Sequence, residues 1–123
     1  MLRKIEISVN YQPLENPILA IYCDTFFCRL RGFMFRHEIS HDEGLLLVQN
    51  RDSKADSSIH MLAVFMDLAI VWIDSNFSVV DVVLAKSWHP AYFPSHPARY
   101  TLEIHPDRIS DFKVGDKVSF NEI

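Results

Sequence analysis

Apolar and polar residues alternate in two stretches of the chain, and this alternation predicts β-strands. Residues 4–9 place an apolar side chain at every second position, which is the period of a strand with one buried face. Residues 99–104 repeat the pattern, with Arg99, Thr101 and Glu103 at the polar positions. We expect these three side chains to form a polar face in contact with solvent.

Other stretches are apolar at consecutive positions, as in strands that are buried on both faces. The clearest is 68–73, where three β-branched residues and a tryptophan favour a central strand over a helix. The turn residues Asp74, Ser75 and Asn76 follow, so the next apolar stretch is expected to return as a hairpin partner. That partner is 79–85; further strands are expected at 18–23, 45–48, 58–63 and 117–120, and loops at 50–57 and 88–97.

A short helix is predicted at residues 25–31. Thr25 provides an N-cap oxygen for the first free amides, and Gly32 suits the left-handed conformation that commonly ends a helix. Arg29 and Arg31 lie in the last turn, where positive charge complements the helix dipole. About eight short strands and this helix near the start predict a mostly β fold, a small jelly-roll-like sandwich or barrel. The length of 123 residues predicts a single domain, 1–123.

The composition limits the classes of function. Hydrophobic residues make up 49% and charged residues 23% of the chain, which indicates a folded globular protein rather than a disordered one. The net charge of -4 argues against nucleic-acid binding, for which a basic surplus is typical. No segment approaches the roughly 18 consecutive apolar residues of a membrane-spanning helix, so we expect no membrane contact.

The two cysteines and the start of the chain bear on location. Cys23 and Cys28 match neither a Cys-x-x-Cys redox pair nor a zinc knuckle. We expect them to be two reduced, partly buried thiols. Because the first residues also lack the apolar core of a signal peptide, the expected location is the cytoplasm.

Six segments between residues 31 and 116 resemble, in order, the motifs of one protein family. They read Arg-Gly-Phe-Met-Phe-Arg at 31–36, Glu-Gly-Leu-Leu-Leu-Val at 43–48, Ile-His-Met at 59–61, Val-Trp-Ile-Asp at 71–74, Ala-Arg-Tyr-Thr-Leu-Glu at 98–103 and Val-Gly-Asp at 114–116. Through them the chain is identified as a member of the bacterial and archaeal family called domain of unknown function 192. The resemblance implies a small jelly-roll-like β fold and no established biochemical role.

The chain departs from the family at the start of its central strand. Many relatives carry Pro-(Leu/Ile)-Asp there, and the corresponding residues are Asp67, Leu68 and Ala69. Ala69 therefore replaces the usual acid. Asp67 lies two positions earlier, on the same face of an extended strand, and is either a displaced carboxylate or a strand-start residue that faces water.

Four residues are the candidate ligand-binding residues: Arg36, His60, Asp67 and Arg99. Arg36 is a candidate anion clamp because a guanidinium binds a carboxylate or phosphate through two hydrogen bonds. Its structural alternative is a carbonyl cap or a partner for an acid. His60 lies in an apolar stretch and is either a general base or ligand, or a hydrogen-bonded structural residue.

The histidines show no spacing typical of a metal site. His60, His89, His96 and His105 form neither a His-x-His pair nor a His-Glu-x-x-His motif. Nothing in the sequence fixes the convergence of the three or four ligands that zinc requires. We therefore expect neither a metal nor a cofactor.

Three functions are compatible with the sequence. The favoured one is a binding module, in which a cleft holds a small anionic ligand or a protein partner. The first alternative is a hydrolase or lyase for a small anionic substrate, with His60 as base, Asp67 orienting it and Arg36 as clamp. The second is a structural homo-oligomer, such as a homodimer that pairs through the strand at 4–9 as an exposed edge. Whether the protein is an enzyme stays open.

Overall fold

A single curled β-sheet forms most of the computed structural model, which describes residues 3–123. Between the third and fourth strands lies helix α1, Phe26–Arg31, and a 3₁₀ helix at Pro106–Asp111 precedes the last strand. The strands are β1 Lys4–Val9, β2 Gln12–Pro13, β3 Leu19–Cys23, β4 Glu43–Ser53, β5 Leu68–Ile73, β6 Val79–Ala85, β7 Ala98–Ile104 and β8 Val118–Glu122. The mostly β prediction, with about eight strands and one short helix near the start, is confirmed.

The strand order explains the curl of the sheet. Neighbours run β1, β3, β4, β7, β5 and β6, and β2 and β8 both pair with β1. Among the strand pairs of residues 3–123, β3 and β4 are the one parallel pair. A bridge between Ser78 and Lys117 joins the two ends of this order, and the Val118 amide donates to the Phe77 carbonyl at 2.9 Å. Since all strands belong to one sheet, the finer prediction of a jelly roll is not confirmed.

The sheet carries an apolar core on each face. In β5 the side chains of Ala69, Val71 and Ile73 enter the core on the inside of the curl, and the alternate residues Leu68 and Ile70 enter the core on the outside. All six residues of β5 are buried, as their continuous apolar run predicts. Strands buried on both faces require a cover on the outer side, which the chain provides with its non-strand segments.

The backbone carbonyl of Ser57 connects the covering segment after β4 to the sheet. The Ser57 carbonyl accepts hydrogen bonds from Trp72 Nε1 at 2.8 Å and from Thr101 Oγ1 at 3.0 Å. Ser57, Trp72 and Thr101 are all fully buried. Because buried polar groups are costly unless they are paired, this three-residue contact fixes where the segment after β4 crosses the outer face.

Burial of the outer face corrects the prediction of a solvated polar face on β7. Thr101 is fully buried and Glu103 is 4% exposed, since β7 lies between β4 and β5 and its outer side is covered. Arg99 is half-buried. The alternation of polar residues was recognised correctly, but it marks the covered face of the strand and not a face in solvent.

Three further predictions of local structure are wrong. β4 continues through Ser53, so residues 50–53 are strand and not loop. Residues 58–63 are irregular rather than a strand, with an isolated bridge from Ile59 to Tyr92 and a turn at 62–63. β1 is not an edge, because it pairs with β8 on one side and with β3 and β2 on the other. A homodimer through an exposed edge at 4–9 is therefore inconsistent with the sheet.

Helix α1 begins and ends as predicted, but its cysteines do not match the prediction. Thr25 Oγ1 accepts a hydrogen bond from the Cys28 amide at 3.2 Å, and Gly32 ends the helix with φ of 47°. Cys23 and Cys28 form a disulfide, so the prediction of two reduced thiols is wrong. The end of β3 and the first turn of α1 bring the two Cα atoms to 5.6 Å, within the usual range for a disulfide.

The helices and the disulfide are the two features of the structure that bear on location. None of the helices within residues 3–123 is long and apolar enough to cross a membrane. The disulfide removes reduced thiols as a reason for placing the protein in the cytoplasm, because disulfides are rare in reducing compartments. The cytoplasmic location stays a prediction.

Candidate functional site

A cavity of about 580 Å³ lies between the outer face of the sheet and the segments that cover it. Helix α1 and the turn after it form one wall, β4 forms the second and residues 56–64 form the third. Apolar side chains line much of the interior, among them Leu47, Met61, Val64 and Leu68. We refer to this space as the outer cavity.

A buried carboxyl group opens into the outer cavity. Glu103 is 4% exposed and lies on β7 opposite Leu45 of β4 and Ile70 of β5, both of which are buried. No hydrogen bond or ion pair from residues 3–123 reaches its carboxyl oxygens. Burial raises the pKa of Glu103 to about 8, because the charged form is poorly solvated there. At pH 7 the group is therefore mainly neutral and can donate one hydrogen bond into the cavity.

Gly32 allows the chain to pass close to this carboxyl group. A Cβ atom placed on Gly32 would lie 3.3 Å from Glu103 Oε1, which is a tight contact. The φ of +47° at Gly32 also disfavours any side chain at this position. The glycine that ends α1 therefore also allows the cavity wall to lie close to the Glu103 carboxyl group.

The rim of the outer cavity carries more positive than negative charge. Arg29, Arg31 and Arg51 line it, and the acidic residues that line it are Asp56 and the mainly neutral Glu103. Arg51 pairs with Asp56 at 3.4 Å. Within the described part of the chain, Arg29 donates only to carbonyls, those of Asp24 and Val48. Within a chain of net charge -4, this cavity is locally cationic at pH 7.

His60 lines the outer cavity but has both ring nitrogens occupied. Nε2 lies 3.0 Å from the Leu30 carbonyl, and Nδ1 lies 3.2 Å from the Leu62 amide. A carbonyl only accepts and an amide only donates, so these partners fix the neutral tautomer with its proton on Nε2. The ring therefore connects α1 to the segment after β4 through two hydrogen bonds. In this arrangement it has no free lone pair with which to act as a base.

Arg36 is held in an ion pair outside the outer cavity. Its guanidinium donates to both carboxylate oxygens of Glu43, at 2.9 and 3.0 Å, and to the Glu38 carbonyl at 3.1 Å. The same contact lowers the pKa of Glu43, chiefly through the hydrogen bonds from Arg36. This arrangement corresponds to the structural alternative for Arg36, because the two guanidinium N–H donors that could clamp an anion already bind Glu43.

Asp67 and Ala69 do not supply an acid to the cavity. Asp67 accepts hydrogen bonds from the Ser87 amide at 2.9 Å and from Lys86 Nζ at 3.4 Å, which connects the start of β5 to the end of β6. Ala69 is fully buried in the core on the inside of the sheet. The usual family acid would thus lie on the face opposite to the outer cavity.

The four predicted site residues are not brought together. Arg99 donates from Nε to the Gln49 carbonyl at 3.0 Å and lies over the ring of Tyr100. Among the hydrogen bonds of residues 3–123, none joins any two of Arg36, His60, Asp67 and Arg99. Of the four, only His60 lines the outer cavity.

The histidines named in the sequence analysis do not converge either. His60 is used as described above, and His89 packs on Tyr92 with ring centroids 4.3 Å apart. His96 contacts the neighbouring Ser95 hydroxyl. His105 instead lies against a different histidine, His41.

Comparison with known proteins places the chain in a family. Residues 9–120 match the model of domain of unknown function 192, DUF192, described as "Uncharacterized ACR". The chain belongs to the DUF192 family. A UPF0127 protein of Thermococcus kodakarensis is 34% identical over 99 residues, which are 79% of this chain and 61% of that protein. A UPF0127 protein of Pyrococcus furiosus is 30% identical over 112 residues, which are 89% of this chain and 92% of that protein.

These DUF192 relatives leave the function unassigned. The curated relatives are archaeal, so a purely bacterial description would be only partly right. The chain spans less than two thirds of the Thermococcus proteins it matches, at 61% and 63% of their lengths.

Two solved structures share the DUF192 fold of this chain. A protein of unknown function from Novosphingobium aromaticivorans superimposes with a TM-score of 0.79 at 20% identity, covering 94% of this chain and 84% of that one. A protein from Sinorhizobium meliloti gives a TM-score of 0.82 at 14% identity, covering 98% and 94%. At these identities the likeness establishes the fold alone.

Local sequence patterns do not reveal Glu103, the buried acid of the outer cavity. Glu103 ends the family-matching segment at 98–103 and lies between Leu102 and Ile104. In sequence it is an acid between two large aliphatic residues, which is the alternation that any half-buried strand shows. The period-two pattern gave no indication, because it distinguishes the two faces of a strand but not whether each face is covered.

Proposed function

We propose that this DUF192 protein is a binding module that holds a small anionic ligand with an apolar part in the outer cavity, above Glu103. The observation that carries the proposal is a carboxyl group that is almost fully buried, has no partner among the described residues and faces a cavity. Among the described residues no side-chain oxygen is both fully buried and unpaired, so the carboxyl oxygens of Glu103 keep a small contact with the cavity, where a ligand atom or water can pair with them.

The neutral form of the Glu103 carboxyl group is compatible with an anionic ligand. A carboxyl group with a pKa of about 8 is neutral at pH 7 and presents an O–H donor rather than a negative charge. A ligand oxygen can accept that hydrogen bond without electrostatic repulsion. An ammonium ligand would instead have to ionise Glu103 in a poorly solvated site.

The charges at the rim favour the same class of ligand. Arg31 lines the cavity and has no hydrogen-bond or ion-pair partner within residues 3–123. Arg29 contributes a second guanidinium, for which residues 3–123 provide no carboxylate partner. Guanidinium groups bind carboxylates and phosphates through paired hydrogen bonds, and the apolar lining of Met61, Val64 and Leu68 suits a short aliphatic or aromatic body.

A series of ligands of equal chain length tests the proposal. Hexanoate, hexanol and hexylammonium are titrated separately into the isotopically labelled protein, and backbone amide shifts are followed by NMR. We expect hexanoate to bind most tightly at pH 7, with shifts concentrated at Leu47, Gln49 and Met61. Its affinity should fall above about pH 8, where Glu103 ionises. Preferential binding of hexylammonium would refute the anionic class.

Three variants locate the binding. Met61→Trp fills the outer cavity and should abolish the hexanoate shifts, and Arg31→Gln should weaken hexanoate binding with little effect on hexanol. Arg3→Gln is the matched control, because Arg3 pairs with Glu122 away from this cavity. Unchanged hexanoate binding by Met61→Trp would show that the ligand lies elsewhere.

The enzyme alternative has less support in its original form. His60 lacks a free lone pair, Asp67 bonds to the end of β6, and Arg36 is paired with Glu43. A hydrolase or lyase that used these three as base, orienting acid and clamp would first have to break all three contacts.

A homodimer is the second candidate function, and exposed apolar residues on α1 favour it. Phe26, Phe27 and Leu30 are 65%, 79% and 50% exposed, and no residue of α1 is buried. Apolar side chains grouped on one short helix are typical of contact surfaces. Sedimentation of the wild type and of Phe27→Ser tests it: a concentration-dependent dimer in the wild type that the variant loses supports this surface, and a wild-type monomer throughout rejects it.

A further inference from the structure

We propose that His41, His105 and Asp107 form a surface site for a divalent transition metal ion of the zinc class. One ligand atom from each of the three residues lies within 4.8 Å of the others. His105 was considered as a ligand in the sequence analysis, but with the wrong partners, because His41 and Asp107 are distant from each other in sequence. The site is separate from the outer cavity, whose lining includes none of these residues.

The distances between the donor atoms suit a small ion. His41 Nε2 lies 2.9 Å from Asp107 Oδ2, and His105 Nδ1 lies 3.8 Å from the same oxygen. Around a tetrahedral zinc with bonds of 2.0–2.1 Å, neighbouring donors are about 3.3 Å apart. The two distances bracket this value, so each imidazole nitrogen already lies near the coordination spacing from the Asp107 carboxylate. Two imidazoles and one carboxylate are also a donor set that zinc uses in sites with an open fourth position.

The backbone around these residues is fixed by a buried arginine. Arg108 is 8% exposed and donates to the His41 carbonyl at 2.6 Å and to Asp111 at 2.7 Å. It therefore holds the loop that carries His41 against the 3₁₀ helix that carries Asp107. His105 caps that helix by accepting a hydrogen bond from the Asp107 amide at 3.0 Å. A site whose backbone is already in place loses less conformational entropy on binding the ion.

The side chains must rearrange modestly before the ion is bound. The two imidazole rings stack at a centroid distance of 3.8 Å with 20° between their planes. A lone pair lies in the plane of its ring, so stacked rings cannot both point at one ion. The His41 side chain is 65% exposed and can rotate in solvent. His105 would coordinate through Nδ1 at the cost of the cap, and the metal bond is the stronger of the two.

Zinc and cobalt titrations of the tag-free protein test the proposal. The protein is treated with chelator, desalted, and titrated with Zn²⁺ by calorimetry and with Co²⁺ by visible absorption. We expect one Zn²⁺ per chain and the absorption bands of four- or five-coordinate cobalt. Histidine ¹⁵N shifts should identify both His41 and His105 as ligands.

Matched variants make the assignment specific. His41→Ala and Asp107→Asn should each weaken Zn²⁺ binding by about tenfold or more, whereas His96→Ala, which removes a histidine from outside the cluster, should bind as the wild type does. His41→Ala keeps the backbone carbonyl that Arg108 binds, so the loop should stay in place. Absence of wild-type binding up to roughly millimolar Zn²⁺, or equal binding by His41→Ala, overturns the proposal.

Discussion

Replacing Glu103 by glutamine should remove a pH-dependent destabilisation that the buried carboxyl group imposes on the fold. The side chain is 4% exposed, and burial raises its pKa from 4.5 to about 8. Between these pH values the folded chain retains the proton and the unfolded chain has released it. Stability therefore falls as pH rises through this window, and the loss is complete above pH 8. Glutamine is neutral at every pH and has nearly the shape of the protonated acid.

The size of the effect follows from the shift in pKa. A shift of roughly 3.5 pH units, at about 1.4 kcal/mol per unit, corresponds to about 5 kcal/mol when the group is fully ionised. At pH 5, about half a unit above the pKa of the unfolded carboxyl group, less than about 1 kcal/mol of the penalty has accumulated, whereas at pH 8 most of it is present. We expect the free energy of unfolding of Glu103→Gln, minus that of the wild type, to increase by about 3.5 kcal/mol from pH 5 to pH 8.

Urea unfolding of the ligand-free proteins at several pH values measures this difference. Comparison with the wild type cancels the titration of the histidines, which both proteins share. Glu15→Gln is the matched control, because Glu15 is exposed and should give a difference that does not change with pH. If the difference for Glu103→Gln stays constant within about 0.5 kcal/mol across this range, Glu103 is already ionised in the folded state, and the reasoning on its protonation is refuted.

Three further changes test other contacts of the fold by urea unfolding. Replacing both Cys23 and Cys28 by serine should lower the free energy of unfolding by about 2 kcal/mol, because the disulfide closes a short loop, and reductant should shift the wild type but not the variant. Arg108→Met should cost about 3–5 kcal/mol, since the carbonyls of His41 and Asn16 and the Asp111 carboxylate lose their partner, while Arg51→Met in an exposed pair should cost less than about 1 kcal/mol. Thr101→Val should cost only about 1 kcal/mol, because the Ser57 carbonyl keeps its bond from Trp72; a loss as large as that of Arg108→Met would contradict this view of the contact.

The candidate site was predicted less well than the fold, and the reason is physical. Arg36 and His60 were chosen as functional because of their residue types, yet the same polarity allows them to form the ion pair with Glu43 and the brace between Leu30 and Leu62. Which of these uses applies depends on neighbours that are distant in sequence. Glu103 was assigned to solvent because local alternation contains no information on what covers a strand.

Local patterns alone determined the mostly β class, the strands at 4–9 and 68–73 and the helix with Thr25 and Gly32 at its ends. Each of these depends on side-chain alternation or capping within a few residues. The tertiary structure decided the closure of one curled sheet, the disulfide, the burial of Glu103 and the meeting of His41 with His105. These features depend on which segments pack against each other across the chain. The free energy of that packing comes from contacts between two segments, so the sequence of one segment alone does not determine it.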